Sequence, residues 1–121
     1  MKKVRIAPPN SIVLMADSSS DALPPSEKPV SLVVASPACL GIGCRMELDG
    51  ETEITMGAYR DVAPSHAPLF DGVLETPSRS ITIRTVADLR ILDMNVPTIR
   101  TRVRVWANHS FDPDEVTIGL G

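Results

Sequence analysis

The sequence has few aromatic residues, with one Trp, one Tyr and two Phe among its 121 residues. A core must therefore be built from Val, Ile, Leu and Met. The sequence also lacks any stretch in which apolar residues recur at i, i+3, i+4 and i+7 over about three turns, the pattern of an amphipathic helix. Its 11 prolines weigh further against long helices, because proline interrupts the helical hydrogen-bond ladder. These absences predict an all-β fold with little or no helix.

Long apolar runs are missing as well, and none approaches the roughly 20 residues that a membrane-spanning helix needs. A basic N-terminus precedes the apolar run 11–16, but this run is too short for a signal peptide and no small-residue cleavage site follows it. The chain has only two cysteines, Cys39 and Cys44, too few for a disulfide framework. We expect a cytoplasmic protein without membrane contact, in which both cysteines are buried, inert thiols.

Catalytic and cofactor motifs are also absent, since the sequence has no G-x-S-x-G, no H-E-x-x-H, no P-loop and no G-x-G-x-x-G. A zinc site would need two ligands besides the cysteines, and the histidines that could supply them, His66 and His109, both fall in predicted loops. The sequence therefore predicts no catalytic residues, no metal and no cofactor. A hydrolase that uses His109 or His66 stays open as an alternative.

The charges are unevenly distributed along the chain. The net charge is −3, so the concentrated positive charge that nucleic-acid binding requires is missing overall. Residues 47–75 contain seven acids against Arg60 alone, and residues 79–104 contain six arginines against two aspartates. We expect no nucleic-acid partner. A protein partner with an acidic surface is predicted instead.

Turn-forming residues divide the chain into short β-rich runs. Residues 17–29 are rich in Ser, Asp and Pro and are predicted to be a loop between an N-terminal strand region, 1–16, and the body of the domain, 30–121. The runs recur about every 8–12 residues, which is typical of a sandwich. We predict one domain, an antiparallel β-sandwich of about eight or nine short strands. The predicted strands lie at 11–16, 30–35, 38–48, 51–58, 69–76, 79–87, 89–96, 100–107 and 115–120.

The faces of three consecutive strands follow from their apolar alternation, because a shift of one residue in register would expose every buried side chain. We predict that residues 79–107 form a meander, with residues 97–100 as its second loop. The predicted cross-strand partners are Ile83 with Leu92, Ile81 with Met94, Met94 with Val103 and Leu92 with Val105.

The other face of this meander carries the candidate binding residues, Arg84, Arg102, Arg104 and Trp106. Arg and Trp are enriched in binding hot spots, and the arginine fork grips carboxylates through paired hydrogen bonds. We therefore predict that these four residues bind the partner. The alternative is a solvated outer face, in which Asp93 lies opposite Arg104 and forms a cross-strand ion pair.

Asp49-Gly50, between two strand-like runs, is typical of a hairpin turn. Alignment of the flanking apolar residues requires a bulged or three-residue connection. The four acids of residues 47–53 lack the ligand spacing of an EF-hand calcium site, so we interpret them as a solvated hairpin tip. The predicted partners across this hairpin are Met46 with Ile54 and Cys44 with Met56.

The strand layout resembles that of a known class of inhibitors. The order of short strands, a strand followed by Val96-Pro97, and a late strand that ends at Trp106 are similar to the layout of competence protein J-type nuclease inhibitors. The resemblance covers about the last 90 residues at the level of strand layout and includes no specific motif. It implies a β fold and a protein-binding, inhibitory function.

Several functions remain open from the sequence. The leading hypothesis is a non-enzymatic protein-binding module that uses the arginine-rich face, and inhibition of a toxin or nuclease is its first alternative. A small-ligand-binding β-domain would have a pocket lined by Met46, Met56 and Met94, and the hydrolase is the last alternative. We also expect that the chain could form a homodimer, because unpaired edge strands have to be covered or blunted.

Overall fold

The computed structural model describes residues 1–25 and 31–121. In this part of the chain, ten strands and one four-residue helix are present, and the strands form two five-stranded sheets that pack face to face. The predicted all-β sandwich is confirmed. The strands are β1 (Lys2–Ile6), β2 (Ile12–Asp17), β3 (Val33–Ala35), β4 (Cys39–Gly43), β5 (Thr52–Ala58), β6 (Phe70–Glu75), β7 (Ser80–Thr85), β8 (Arg90–Asn95), β9 (Arg100–Ala107) and β10 (Glu115–Leu120), with helix α1 (Tyr59–Val62) between β5 and β6.

Each sheet combines strands from distant parts of the chain. The first sheet has the order β1-β5-β10-β9-β6, and the second has the order β3-β4-β2-β7-β8. One strand pair departs from the predicted antiparallel arrangement, because β10 pairs with β5 in parallel. The chain enters both of these strands from the same end of the sandwich, so they run in the same direction.

The core lies between the two sheets and is built from aliphatic residues and Met, as the shortage of aromatics predicts. Alternate residues of each strand face this layer, which is the period of an extended backbone. The largest fully buried side chains are those of Met15, Leu40, Ile42, Ile54, Met56, Leu74, Ile81, Ile83 and Ile118.

The first pairing of the predicted meander is confirmed, and the second is wrong. β7 and β8 pair in the predicted register, with Ile81 opposite Met94. After β8, however, the chain crosses to the first sheet, where β9 lies between β6 and β10. Val103 and Val105 therefore face the same core from the opposite sheet. Apolar alternation predicts that these residues are buried. It does not show whether two strands are neighbours in one sheet or face each other across the core.

The predicted Asp49-Gly50 hairpin is wrong as well. β4 lies between β3 and β2 in the second sheet, so both of its edges are occupied and β5 cannot pair with it. Residues 44–51 instead cross from one sheet to the other and contain a 3-10 turn at Glu47–Asp49. The backbone N–H of Cys44, at the start of this crossing, donates to the carbonyl oxygen of Ser11 at 2.8 Å.

The N-terminal region 1–16 contains two strands that belong to different sheets. β1 lies at the edge of the first sheet and β2 in the centre of the second. Residues 18–25, part of the predicted loop 17–29, form no strand and cross the outer face of the second sheet. There Ala22 packs against the outward side chains of β2, and Pro24 approaches Gly41, where a β-carbon would lie 3.3 Å from the proline ring. Residues 26–29 of the predicted loop, and Val30, lie outside the described residues.

Candidate functional site

The four predicted partner-binding residues do not share one face. Arg84 lies on β7 in the second sheet, whereas Arg102, Arg104 and Trp106 lie on β9 in the first. The prediction of a single face that carries all four is wrong, because it depended on pairing β8 with β9. The three β9 residues do share the outer face of the first sheet, since they alternate with the buried Thr101, Val103 and Val105.

Arg84 is covered by the segment that crosses the second sheet. Only 7% of the surface of Arg84 is exposed. Its Nη2 donates to the carbonyl oxygen of Ala22 at 2.7 Å, and its Nε lies 3.7 Å from Oδ1 of Asp88. The guanidinium group therefore holds residues of its own chain together and presents little surface to a partner.

Trp106 anchors the segment 59–69, which folds over the outer face of the first sheet. Its Nε1 donates to the carbonyl oxygen of His66 at 2.9 Å, and its ring stacks on Tyr59 with 6.1 Å between centroids. Beneath the ring lies Gly119, where a β-carbon would be 3.0 Å from Cζ3 of the indole. A side chain at this position would push the ring away from the sheet by a few tenths of an ångström. The residue is 4% exposed, so Trp106 is a packing residue of this covered corner.

Asp71 joins the two remaining arginines. Arg102 donates to both of its carboxylate oxygens, from Nε at 2.9 Å and from Nη2 at 2.7 Å. Nε of Arg104 lies 3.8 Å from Oδ2 of Asp71, and its guanidinium carbon lies 3.8 Å above the centre of the Tyr59 ring. The hydrogen bond from Arg102 lowers the pKa of Asp71, and the same bond raises the pKa of Arg102. A partner carboxylate would have to compete with Asp71 for both guanidinium groups.

The predicted ion pair between Asp93 and Arg104 is wrong, because the two residues lie in different sheets. Oδ1 of Asp93 instead accepts a hydrogen bond from Oγ1 of Thr82 at 2.5 Å and lies 3.9 Å from Nη1 of Arg90. Of the four predicted binding residues, Arg102 alone presents much of its side chain to solvent, with 53% of it exposed.

Both cysteines are buried and free, as predicted. Burial raises the pKa of the Cys39 thiol, and it raises that of Cys44 to about 11. Both thiols are therefore protonated at neutral pH, and a protonated thiol is a poor nucleophile and metal ligand.

The histidines make structural contacts. Nδ1 of His109 accepts hydrogen bonds from the backbone N–H groups of Phe111 and Asp112 at 3.1 and 2.9 Å. The backbone carbonyl oxygen of His66 accepts the hydrogen bond from Nε1 of Trp106. Across residues 1–25 and 31–121, neither imidazole is hydrogen-bonded to a carboxylate, and no group of three or more His, Cys, Asp or Glu side chains is placed to hold a metal ion.

The predicted methionine-lined pocket is wrong. Met56 is fully buried in the core, Met94 packs against that core from β8, and Met46 is exposed at one end of the sandwich. Since Met46 lies at the surface, apart from the core that contains Met56 and contacts Met94, the three side chains do not line one pocket.

A surface that the sequence did not reveal lies at the end of the sandwich where Met46 is exposed. We call it the loop end and define it as residues 44–51 and 108–115. Met46, Leu48 and Phe111 project from it with 58%, 94% and 78% of their surface exposed. The alternation of acidic and apolar residues around Leu48 is its one signal in the sequence, and this pattern is equally typical of a solvated hairpin tip. Residues 108–115 join this surface only through tertiary contacts.

The architecture defines the class of protein, a two-sheet β-sandwich with one parallel strand pair. The crystal structure of ComJ from Bacillus subtilis, described as an inhibitor of the DNA degrading activity of NucA, has a similar fold, with a TM-score of 0.70 and 11% identity over 99% of this chain and 94% of that chain. No protein-family model matches the chain, and no match was found among curated proteins. The resemblance inferred from the strand layout is thus confirmed for the fold. Among the described residues, no helix has the length and apolar character to cross a membrane.

Proposed function

We propose that this protein is a non-catalytic inhibitor that binds a DNA-degrading nuclease. The supporting observation is its likeness in fold to ComJ, which extends over 99% of the chain. The partner is then a protein. The likeness carries no information about which residues make the contact, because only 11% of the aligned residues are identical.

The chemistry of the buried polar groups agrees with a binding role. Every buried side-chain nitrogen and oxygen atom in the described part of the chain has a hydrogen-bond partner. An example is the buried pair Thr76 and Thr101, whose hydroxyl groups lie 2.9 Å apart. Satisfied buried polar groups give a rigid scaffold, which favours tight protein binding.

The first prediction concerns inhibition itself. The purified protein, in molar excess, is expected to stop degradation of double-stranded DNA by at least one member of a panel that contains NucA and the nucleases encoded in the genome from which this chain comes. DNA cleavage is followed on gels, and complex formation is followed by calorimetry with catalytically inactive nuclease. A panel in which no nuclease is inhibited or bound would refute the proposed function.

The binding role of Arg84, Arg102, Arg104 and Trp106 stays a prediction. It can be tested at Arg102, the one of the four whose side chain is largely exposed. If this face contacts the partner, Arg102→Glu is expected to weaken binding by tenfold or more, since a charge reversal opposes the acidic surface predicted for the partner. Arg90→Glu is the matched control, because the side chain of Arg90 is similarly exposed, at 60%, but lies in the other sheet. Equal affinities of both variants and the wild type would exclude this face.

A further inference from the structure

The loop end combines exposed apolar side chains with a groove. The lining of the groove includes Phe111 and Met46 of the loop end together with Ile12, Leu32 and Val34. Its volume is about 300 Å³, and most of the surface that it offers is apolar. Water in contact with such a surface is released when a partner covers it, so an apolar groove beside three exposed apolar side chains favours docking of a protein.

The two segments of the loop end are also rich in carboxylates. Residues 44–51 and 108–115 carry six acids against Arg45 as the single Arg or Lys. In the part of the chain that the structure describes, none of the six takes part in an ion pair, in contrast to neighbouring Glu53, which contacts Lys3 and Arg5. The negative charge of this end is therefore directed to solvent. The six acids are Glu47, Asp49, Glu51, Asp112, Asp114 and Glu115.

Hydrogen bonds hold the two halves of the loop end together. The backbone N–H of Met46 donates to Oδ1 of Asp112 at 2.9 Å. Thr52 accepts from the backbone N–H of Arg45 at 2.9 Å and donates its hydroxyl to the carbonyl oxygen of Pro113 at 3.0 Å. A surface held in this way loses little conformational freedom on binding, which favours affinity.

We propose that the loop end docks into the positively charged DNA-binding cleft of the partner nuclease. This inference rests on the proposed function. An enzyme that degrades DNA must offer positive charge to the phosphate backbone, and the loop end offers carboxylates of the complementary sign together with apolar contacts. The apolar side chains bind in the cleft and the carboxylates face its Lys and Arg residues, so the inhibitor occupies the space of the substrate. Two loop ends would repel each other, which argues against a second copy of this chain as the occupant.

The test compares two variants of the loop end with the wild type, against a nuclease that the wild type inhibits. Leu48→Ser combined with Phe111→Ser is expected to weaken binding about thirtyfold or more, which corresponds to a hot-spot contact. Glu47→Lys combined with Asp49→Lys is expected to slow association and to remove most of its dependence on salt, because exposed charges govern the encounter rate. Both rates are measured by surface plasmon resonance, and DNA competition should displace the wild type.

Ile99→Ser is the control. Ile99 is 58% exposed and precedes β9, at the opposite end of the strand from residues 108–115. The affinity of Ile99→Ser for the nuclease is expected to equal that of the wild type. All variants should keep the wild-type melting temperature, because the substituted residues are exposed. If the nuclease is inhibited but both loop-end variants bind like the wild type, the surface is wrong and the proposed function stands. If the wild type inhibits no nuclease, the proposed docking surface and the proposed function both fail. Sedimentation of the free protein identifies a dimer, and a dimer that the loop-end variants dissociate would also overturn the proposal.

Discussion

Replacing Trp106 with alanine is expected to lower the free energy of unfolding by about 3–5 kcal/mol, the range found when a buried Trp or Phe is truncated. The change removes the hydrogen bond to the carbonyl oxygen of His66, the stacking on Tyr59, and the packing over Gly119. The segment 59–69 would then lose these contacts with the first sheet. Urea denaturation followed by circular dichroism measures the effect, provided that unfolding is two-state.

Trp106→Phe is the matched variant for this prediction. Phenylalanine keeps an aromatic ring over the sheet but cannot donate to the His66 carbonyl, so a smaller loss of about 1–2 kcal/mol is expected. A loss below about 1 kcal/mol for the alanine variant would contradict the anchoring role, because truncation of a packed Trp costs several times more.

The strands and their faces could be predicted from the sequence, whereas their distribution between sheets could not. Alternation of apolar and polar residues is a local property, and it correctly placed Val103 and Val105 inside. The choice of partner strand depends on which edges are free after the rest of the chain has folded. β4 illustrates this, since β2 and β3 pair with its two edges and leave none for β5.

Two elements were missed for a different reason. β1 reads Lys-Lys-Val-Arg-Ile and lies at a sheet edge, where polar residues are common and the apolar signal is weak. α1 has only four residues and follows β5 directly, so no helical period can show in the sequence. Its position matters for the candidate site, because Tyr59 at its start covers Trp106 and contacts Arg104.

The candidate sites show the same division between local and tertiary information. The arginines of β9 were recognised from their alternation, but their neutralisation by Asp71 depends on a strand 31 residues away from Arg102. The loop end depends on contacts such as that between Met46 and Asp112, which are 66 residues apart. No spacing rule within one strand or turn predicts such contacts.

Asp17→Asn is expected to lower the free energy of unfolding by about 2–3 kcal/mol, because a buried carboxylate would lose charge-assisted hydrogen bonds. Its Oδ1 accepts from the backbone N–H and the hydroxyl of Ser78 at 2.9 and 2.8 Å, and its Oδ2 accepts from the backbone N–H of Ser19 at 3.0 Å and from the Ser19 hydroxyl. The carboxylate thus joins the end of β2 to the turn before β7. At one of the two oxygen positions, the N–H groups of an asparagine amide would face hydrogen-bond donors instead of accepting from them. Asp21→Asn, at an exposed position nearby, is the control and should keep wild-type stability.

The pH dependence of unfolding separates the carboxylate of Asp17 from a merely steric effect of the substitution. Burial by itself raises the pKa of Asp17, but the hydrogen bonds from Ser19 and Ser78 outweigh it and leave this pKa below its ordinary value. A pKa lowered by folding gives stability that is present above the unfolded-state pKa of about 4 and is lost as the pH falls through the lower, folded-state value. The difference in free energy of unfolding between the wild type and Asp17→Asn should therefore be constant near neutral pH and shrink below about pH 4. Asp71 titrates in the same direction in both proteins, so it cancels in this difference. A difference that stays constant down to the acid-unfolding region would show that the ionised carboxylate contributes nothing.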